Sequence, residues 1–131
     1  MSYFKLPSGL RDILPQESAR LDQTEEILRK KFKEAGFSSV RTAGIEYYDT
    51  FACIKSSVPQ TKMFKMTDKD GNLIVLRPDM TLACARIAAT KLQGECAKLC
   101  YFSNVYDFSA GGNSDREVIQ AGVEIFGAGG A

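Results

Sequence analysis

The 131-residue sequence predicts an α+β fold in which helices flank an antiparallel sheet. Three observations favour this class: a long stretch near the N-terminus has helical spacing, two short apolar runs surround an Asp-Gly turn, and two strand-like segments stand near the end. The composition, 44% hydrophobic and 25% charged, is typical of a folded globular protein of about one domain. We therefore expect a single domain over residues 1–131.

The first predicted elements are an extended lead-in and an amphipathic helix. Residues 4–15 contain two prolines and a glycine, which predicts an irregular segment, and Pro15 suits a first helical turn. Apolar residues then recur at helical spacing from Gln16 to Ala35. Gly36 stands where a left-handed residue commonly ends a helix.

A strand and a hairpin are predicted next. The segment Ser39–Asp49 is rich in Val, Ile, Thr and Tyr and predicts a strand, followed by a loop at 55–61. The apolar runs Met63–Met66 and Leu73–Leu76 flank an Asp-Gly turn, the usual layout of a hairpin. The acidic turn at 68–72 lacks the rest of the twelve-residue calcium-loop pattern, so we interpret it as a turn only.

The remaining predicted elements are a helix and a second pair of strands. Pro78 opens a helix that extends to about Leu92. The strands Leu99–Phe108 and Glu117–Phe126 follow, separated by a polar loop, and we expect them to pair antiparallel. No element follows to cover the edge of the last strand, so we expect a piece of a longer protein or a protomer that needs a partner.

Composition also narrows the functional classes. Lys and Arg total 17 against 16 acidic residues, and a net charge of +1 gives no general attraction for a polyanion, so we do not expect nucleic-acid binding. No stretch resembles a membrane span or a signal peptide, which predicts a cytoplasmic protein without membrane association.

Metal and histidine chemistry are not expected. The sequence has no histidine, which excludes a His-dependent triad or general base within this chain. Its four cysteines form no CxxC pair, so we interpret them as reduced thiols and expect no metal site and no cofactor: Cys53, Cys84, Cys96 and Cys100.

The last predicted strand carries the first candidate site residues. Its side chains alternate, and we expect one face to be core: Ile119, Ala121, Val123 and Ile125. The opposite face carries Gln120, Gly122 and Glu124, where a glycine between an amide and a carboxylate leaves room for a ligand to approach the backbone. A solvent-exposed polar face is the alternative for this strand alone.

Two further segments supply polar candidates. Asp79 and Thr81 stand at the predicted start of the second helix, where such residues are also ordinary N-terminal residues. Asp107 shares a strand face with Tyr101, Ser103 and Val105. If these groups converge, Asp79, Asp107 and Glu124 form a carboxylate-rich pocket that suits an ammonium or imidazolium group. The candidate ligand-binding set is therefore Asp79, Thr81, Asp107, Gln120 and Glu124.

Taken together, these segments resemble the class II aminoacyl-tRNA synthetase core of the histidyl-tRNA synthetase family. The resemblance covers nearly the whole chain and is carried by an N-terminal signature, a first motif, an amino-acid-binding turn and the two strands of a second motif: Pro7–Pro15, Val40–Glu46, Leu76–Thr81, Tyr101–Tyr106 and Gln120–Gly127. It implies the N-terminal part of that core. Ala43 stands where the family's first motif has proline.

Two departures from the synthetase motifs favour a resemblance to the family's non-catalytic branch, the regulatory subunits of ATP phosphoribosyltransferase. The amino-acid-binding turn carries Asp79-Met80, as in that branch, where synthetases have Glu-Gly. Asp107 stands where the second motif has the arginine that grips the substrate carboxylate and the α-phosphate of ATP. A carboxylate there repels phosphate and removes a stabilising cation, so we expect no adenylate formation and no catalytic residue.

The resemblance implies a regulatory role. Such subunits assemble with the short catalytic subunit of ATP phosphoribosyltransferase, which joins ATP to phosphoribosyl pyrophosphate in the first step of histidine biosynthesis, and they serve its activity and its histidine feedback. It also implies a homodimer through the first helix and the following strand, and histidine as a ligand of Asp79, Thr81, Gln120 and Glu124. The alternatives are a fragment of a histidyl-tRNA synthetase that activates histidine when complete, and a free-standing dimerisation or amino-acid-binding module.

Overall fold

The computed structural model describes residues 3–52, 58–110 and 114–127, so Cys53 and part of the predicted 55–61 loop lie outside the described residues. The elements in chain order are α1 (Pro15–Glu34), β1 (Ser38–Ser39), β2 (Ile45–Tyr47), α2 (Tyr48–Ala52), a 3₁₀ helix (Gln60–Lys62), β3 (Lys65–Thr67), β4 (Leu73–Leu76), α3 (Thr81–Lys91), β5 (Ala97–Tyr106) and β6 (Glu117–Phe126). The predicted α+β class is confirmed.

The strands form two sheets where one was predicted. In one sheet the order is β1-β5-β6, with β1 parallel to β5 and β6 antiparallel to it. In the other the order is β2-β4-β3, and both pairs are antiparallel. Antiparallel pairing therefore dominates, as expected, but the described strands do not form one continuous sheet.

The prediction of a single strand over Ser39–Asp49 is wrong. The backbone N–H of Val40 still donates to the carbonyl of Cys100, following β5, but the chain then leaves that sheet. At Gly44 the carbonyl accepts a hydrogen bond from the Arg77 backbone, and β2 pairs with β4 of the other sheet. Helix α2 follows β2 directly, so the β-rich composition is divided between two sheets and a helix.

Helix α1 matches its prediction closely, and Gly36 has the expected left-handed backbone, with φ of +85°. None of its residues, all of which the structure describes, is buried. The helix contacts the sheet where Phe32 lies 5.7 Å from the ring of Phe102 and the Arg29 guanidinium lies 4.5 Å above that ring.

Within the described ranges, no helix has the length and apolar character needed to cross a membrane.

The predicted hairpin and its turn are confirmed. Strands β3 and β4 pair antiparallel, and Asp68 closes the turn by accepting the N–H groups of Asp70 at 2.9 Å and Asn72 at 2.8 Å. Gly71 supplies the left-handed conformation, with φ of +85°. No cluster of metal-ligating side chains occurs in the part of the chain that the structure describes.

Helix α3 begins at Thr81, three residues later than the predicted start at Pro78. Met80 is the N-cap residue, and Asp79 before it accepts the backbone N–H of Thr81 at 2.8 Å, which forms an Asx turn leading into the helix. The helix contributes to two cores. One unites Met80 and Cys84 with Ala97, Leu99, Tyr101 and Val105 of β5, and the other unites Leu82 with Phe51, Met63 and Val75.

The paired strands β5 and β6 are confirmed, but the predicted core face of β6 is wrong. Ile119, Val123 and Ile125 are 47%, 40% and 50% exposed, whereas the side with Gln120 and Glu124 is half-buried. The alternation of side chains along β6 correctly predicted which residues share a face of the strand. The polar face of β6 lies beneath α3, on the same side of the sheet as the buried residues of β5. On the opposite side, α1 packs on β5 and leaves the apolar face of β6 exposed.

Candidate functional site

Three of the predicted site residues converge where α3 meets β6. The Thr81 hydroxyl donates to Oε1 of Glu124 at 2.7 Å, and the Thr81 backbone N–H donates to Oδ2 of Asp79 at 2.8 Å. The helix N-terminus favours negative charge beside it, which explains why carboxylates are tolerated there. Thr81 thus connects two carboxylates from elements that are far apart in the sequence.

Tyr101 fills the space over Gly122 where the sequence predicts room for a ligand. The two residues are direct cross-strand partners, and a Cβ added to Gly122 would lie 2.6 Å from Cζ of Tyr101. Burial, together with the charges of Glu124 and Asp79, raises the pKa of Tyr101 to about 12. The phenol therefore remains protonated and can donate a hydrogen bond.

Gln120 contributes a buried acceptor to the same side of β6. Its Oε1 has no hydrogen-bond partner among the described residues. A buried polar atom without a partner is destabilising, so a donor from a bound molecule would stabilise the folded state. Gln120 lies four residues before Glu124, on the same face of the strand.

Asp107 joins this group only in part. Its Oδ1 accepts the backbone N–H of Ser109 at 2.9 Å and the hydroxyl of Ser109 at 2.7 Å, while Oδ2 lies 3.3 Å from Nζ of Lys62. The hydrogen bonds from Ser109, with a smaller contribution from Lys62, hold the pKa of Asp107 below its usual value. Asp107 and Asp79 line one cavity of about 220 Å³. No hydrogen bond joins Asp107 to Thr81 or Glu124.

Two residues that the sequence did not single out support the site. Lys62 pairs with Asp107, and because the two residues are far apart in the sequence, no local pattern predicts that they pair. Arg77 is only 7% exposed and donates to the Asn104 carbonyl at 2.7 Å and to the Thr42 hydroxyl at 2.9 Å. These bonds fix the turn that presents Asp79, and the available sequence signal was an arginine directly before the proline of that turn.

An ion pair between a buried carboxylate and a half-buried guanidinium holds α3 against the other sheet. Glu46 of β2 is 7% exposed and accepts three hydrogen bonds from Arg86 of α3, the shortest at 2.6 Å. The pair lines a separate cavity of about 520 Å³. It lies outside the candidate ligand set and orients the helix whose first turn carries Thr81.

Comparison with known proteins identifies one family. The family model described as histidyl-tRNA synthetase matches residues 9–131. A relative from Acetivibrio thermocellus, named ATP phosphoribosyltransferase regulatory subunit, is 40% identical in an alignment over 124 residues that covers 92% of this chain and 30% of the relative. A Clostridium botulinum (strain Langeland) protein of the same name is 41% identical over 129 residues, covering 95% of this chain and 30% of that protein. The chain thus spans about 30% of the length of these relatives.

Solved structures show the same core. A structure from Bacillus halodurans C, described as an ATP phosphoribosyltransferase regulatory subunit/histidyl-tRNA synthetase, superposes with a TM-score of 0.88 at 34% identity, covering 98% of this chain and 34% of that one. Apo histidyl-tRNA synthetase of S. aureus gives 0.79 at 30% identity, covering 95% and 30%. The predicted class II synthetase-like fold is confirmed.

Proposed function

Because the chain belongs to the histidyl-tRNA synthetase family, we propose that it acts in the cytoplasm as a non-catalytic regulatory subunit of ATP phosphoribosyltransferase, or as part of one. Relatives of that name at 40% and 41% identity support this role. The partner is the catalytic subunit, whose activity and histidine feedback would depend on this subunit. Residues 1–131 would form one domain, the N-terminal portion of the synthetase-like core.

The observation that carries the non-catalytic assignment is the state of Asp107. Its carboxylate stands where the synthetases that the chain resembles have a phosphate-binding arginine. Its oxygens accept hydrogen bonds from Ser109 and pair with the ammonium of Lys62. The cation beside this position, the ammonium of Lys62, is thus already paired with the Asp107 carboxylate. A phosphate approaching this position would meet negative charge and would gain little from Lys62, which opposes adenylate formation.

The residues around Thr81 would form the ligand pocket. Asp79 and Glu124 offer carboxylates for an ammonium and an imidazole, and Gln120 offers a buried oxygen that lacks a donor. These are the groups that a histidine-like molecule would satisfy. A retained effector pocket on a non-catalytic scaffold is the function that this arrangement supports best.

A homodimer through α1 accords with the surfaces that the chain leaves open. The helix has no buried residue, and the exposed apolar face of β6 lies on the same side of the sheet. In residues 15–26 one basic and four acidic side chains give a net charge of −3, and in residues 27–34 four basic and one acidic give +3. Two helices packed antiparallel around a two-fold axis would place opposite charges against each other.

The test is reconstitution. The purified chain is mixed with a short catalytic subunit of ATP phosphoribosyltransferase, and the phosphoribosylation rate is followed with and without histidine. We expect co-elution on gel filtration, a higher rate with the chain present, and inhibition by histidine that requires it. In parallel, histidine-dependent exchange of pyrophosphate into ATP should stay at background. Robust exchange, without any effect on the phosphoribosyltransferase, would favour the synthetase alternative.

A further inference from the structure

A cavity of about 410 Å³ lies between the C-terminal half of α1 and strand β1. Its lining residues are Arg29 and Lys33 of α1, Phe37, Ser38 and Ser39 after the helix, and Cys100 of β5. Cys100 pairs with Val123, on the face of the sheet opposite to Glu124 and Thr81. The cavity is therefore separate from the proposed ligand pocket, and both of its charged lining residues are basic.

The chain reversal after α1 brings these groups together. Gly36 has a left-handed backbone, with φ of +85°, and its N–H donates to the Lys33 carbonyl at 3.0 Å. This bond occupies a carbonyl at the helix C-terminus, where free carbonyl groups disfavour an anion. The returning chain then places Ser39 beside the helix, so that Nη1 of Arg29 donates to Oγ of Ser39 at 3.0 Å. Basic side chains of the helix and hydroxyl groups of β1 thus border the same space.

The surroundings of this cavity carry a net positive charge. The guanidinium of Arg29 pairs with Glu25 at 2.6 Å and is neutralised by it. Lys33 adds one positive charge, and the ammonium of Lys98 lies 5.3 Å from the centre of the Phe37 ring that lines the cavity. One carboxylate and three cationic groups therefore give a net charge of +2.

We propose that this cavity binds a phosphate dianion, either free or at the end of a small monoester. A phosphate group carries a charge of about −1.5 to −2 and three strong acceptor oxygens at neutral pH, which match the net charge and the donors of the site. Lys33 offers its ammonium, and Ser39 can donate its own hydroxyl proton because its oxygen accepts from Arg29. A carboxylate has one charge and two oxygens, and would leave part of the positive charge unpaired.

Two substitutions should change the affinity for phosphate in opposite directions. Lys33→Gln removes a charge and a donor from the cavity and should weaken binding about tenfold. Glu25→Gln leaves the Arg29 guanidinium without a charged partner and should strengthen binding about threefold. The matched controls Lys31→Gln and Glu26→Gln make the same charge changes on the same helix, outside the lining of the cavity, and should change the affinity less than about twofold.

The experiment is an NMR titration of the folded chain with glycerol 3-phosphate, inorganic phosphate and acetate at constant ionic strength. The amide signals of Ser38 and Ser39, which line the cavity, report whether it is occupied, and their dependence on ligand concentration gives the affinity. We expect saturable shifts with the phosphates and none with acetate. Far-ultraviolet circular dichroism checks that each variant is folded.

Saturable phosphate binding that Lys33→Gln weakens and Glu25→Gln strengthens, with both controls unchanged, supports the inference. In that case, tighter binding of glycerol 3-phosphate identifies an ester as the ligand, and equal or tighter binding of inorganic phosphate identifies the free ion. Acetate binding as tightly as phosphate overturns the inference in favour of a carboxylate, such as an acidic side chain of a partner protein. Absence of saturable shifts, or equal losses in Lys33→Gln and Lys31→Gln, also overturns it and leaves a solvated basic surface.

Discussion

The backbone N–H of Arg116 donates a 2.7 Å hydrogen bond to the carbonyl of Gly9, so the N-terminal lead-in braces the start of β6. Gly9 has a φ of +78°, and the side chain of Arg116 lies directly against it. Arg11, two residues further, pairs with Asp115 at 3.0 Å and with Glu17 of α1 at 2.8 Å. The lead-in therefore connects α1 to the segment that follows the Asp107 loop.

Substitution Gly9→Ala should destabilise the chain by about 2 kcal/mol, because the new Cβ would combine a left-handed backbone with a close contact. That Cβ would lie 2.7 Å from Cγ of Arg116. The matched control is Gly94→Ala, which has a similar φ of +81° and no atom within 4 Å, and should cost about 1 kcal/mol from backbone strain alone. Urea unfolding measures both, and equal losses would show that the contact with Arg116 contributes nothing.

Substitution Gly122→Ala should displace Tyr101 and lower the free energy of unfolding by about 1–3 kcal/mol. A Cβ would meet the phenol ring at 2.6 Å, inside the packed space beneath α3. Gly44→Ala is the control, since nothing lies within 4 Å of a Cβ there. Thermal unfolding followed by near-ultraviolet circular dichroism reports both stability and the tyrosine environment. An unchanged tyrosine signal in Gly122→Ala would contradict the observed packing.

Removal of Arg86 should be one of the more damaging changes, at about 3 kcal/mol, because it leaves the buried carboxylate of Glu46 without its partner. The double variant Glu46→Gln with Arg86→Met should recover much of that loss, since no uncompensated charge remains. The comparison is Lys69→Met, which breaks an exposed pair with Asp70 and should cost less than about 1 kcal/mol. Chemical denaturation of the three variants checks this, and similar losses for the Arg86 and Lys69 variants would contradict it.

The sequence predicted those helices and strands that are determined by residues within the element itself. Helix α1 with Gly36, the β3–β4 hairpin with its Asp-Gly turn, and the β5–β6 pair follow from periodicity and turn chemistry. The division of Ser39–Asp49 did not, because it depends on contacts with Cys100 and Arg77, which are distant in sequence.

The candidate site shows the same limit. The alternation of β6 and the polar residues before α3 identified Asp79, Thr81 and Glu124 from the sequence, and the structure brings these three together. Which face of β6 is covered depends on where α1 and α3 lie, and no pattern within the strand contains that information. The pairing of Lys62 with Asp107 likewise joins two loops that only the tertiary fold brings close.

The contribution of Asp107 to stability should depend on pH in a defined direction. The hydrogen bonds from Ser109 and the nearby ammonium of Lys62 lower the pKa of Asp107 in the folded state, so the folded carboxyl holds its proton less readily than the unfolded one. Its stabilisation is therefore fully present above the unfolded value of about 4 and is lost as pH falls through the lower folded pKa. Solvent screening limits the effect to roughly 0.5 kcal/mol. Urea titrations of the unaltered chain and of Asp107→Asn at pH 7, 5 and 3 should show a stability gap that is smaller at pH 3 than at pH 7, and a gap of constant size would contradict the assigned contacts.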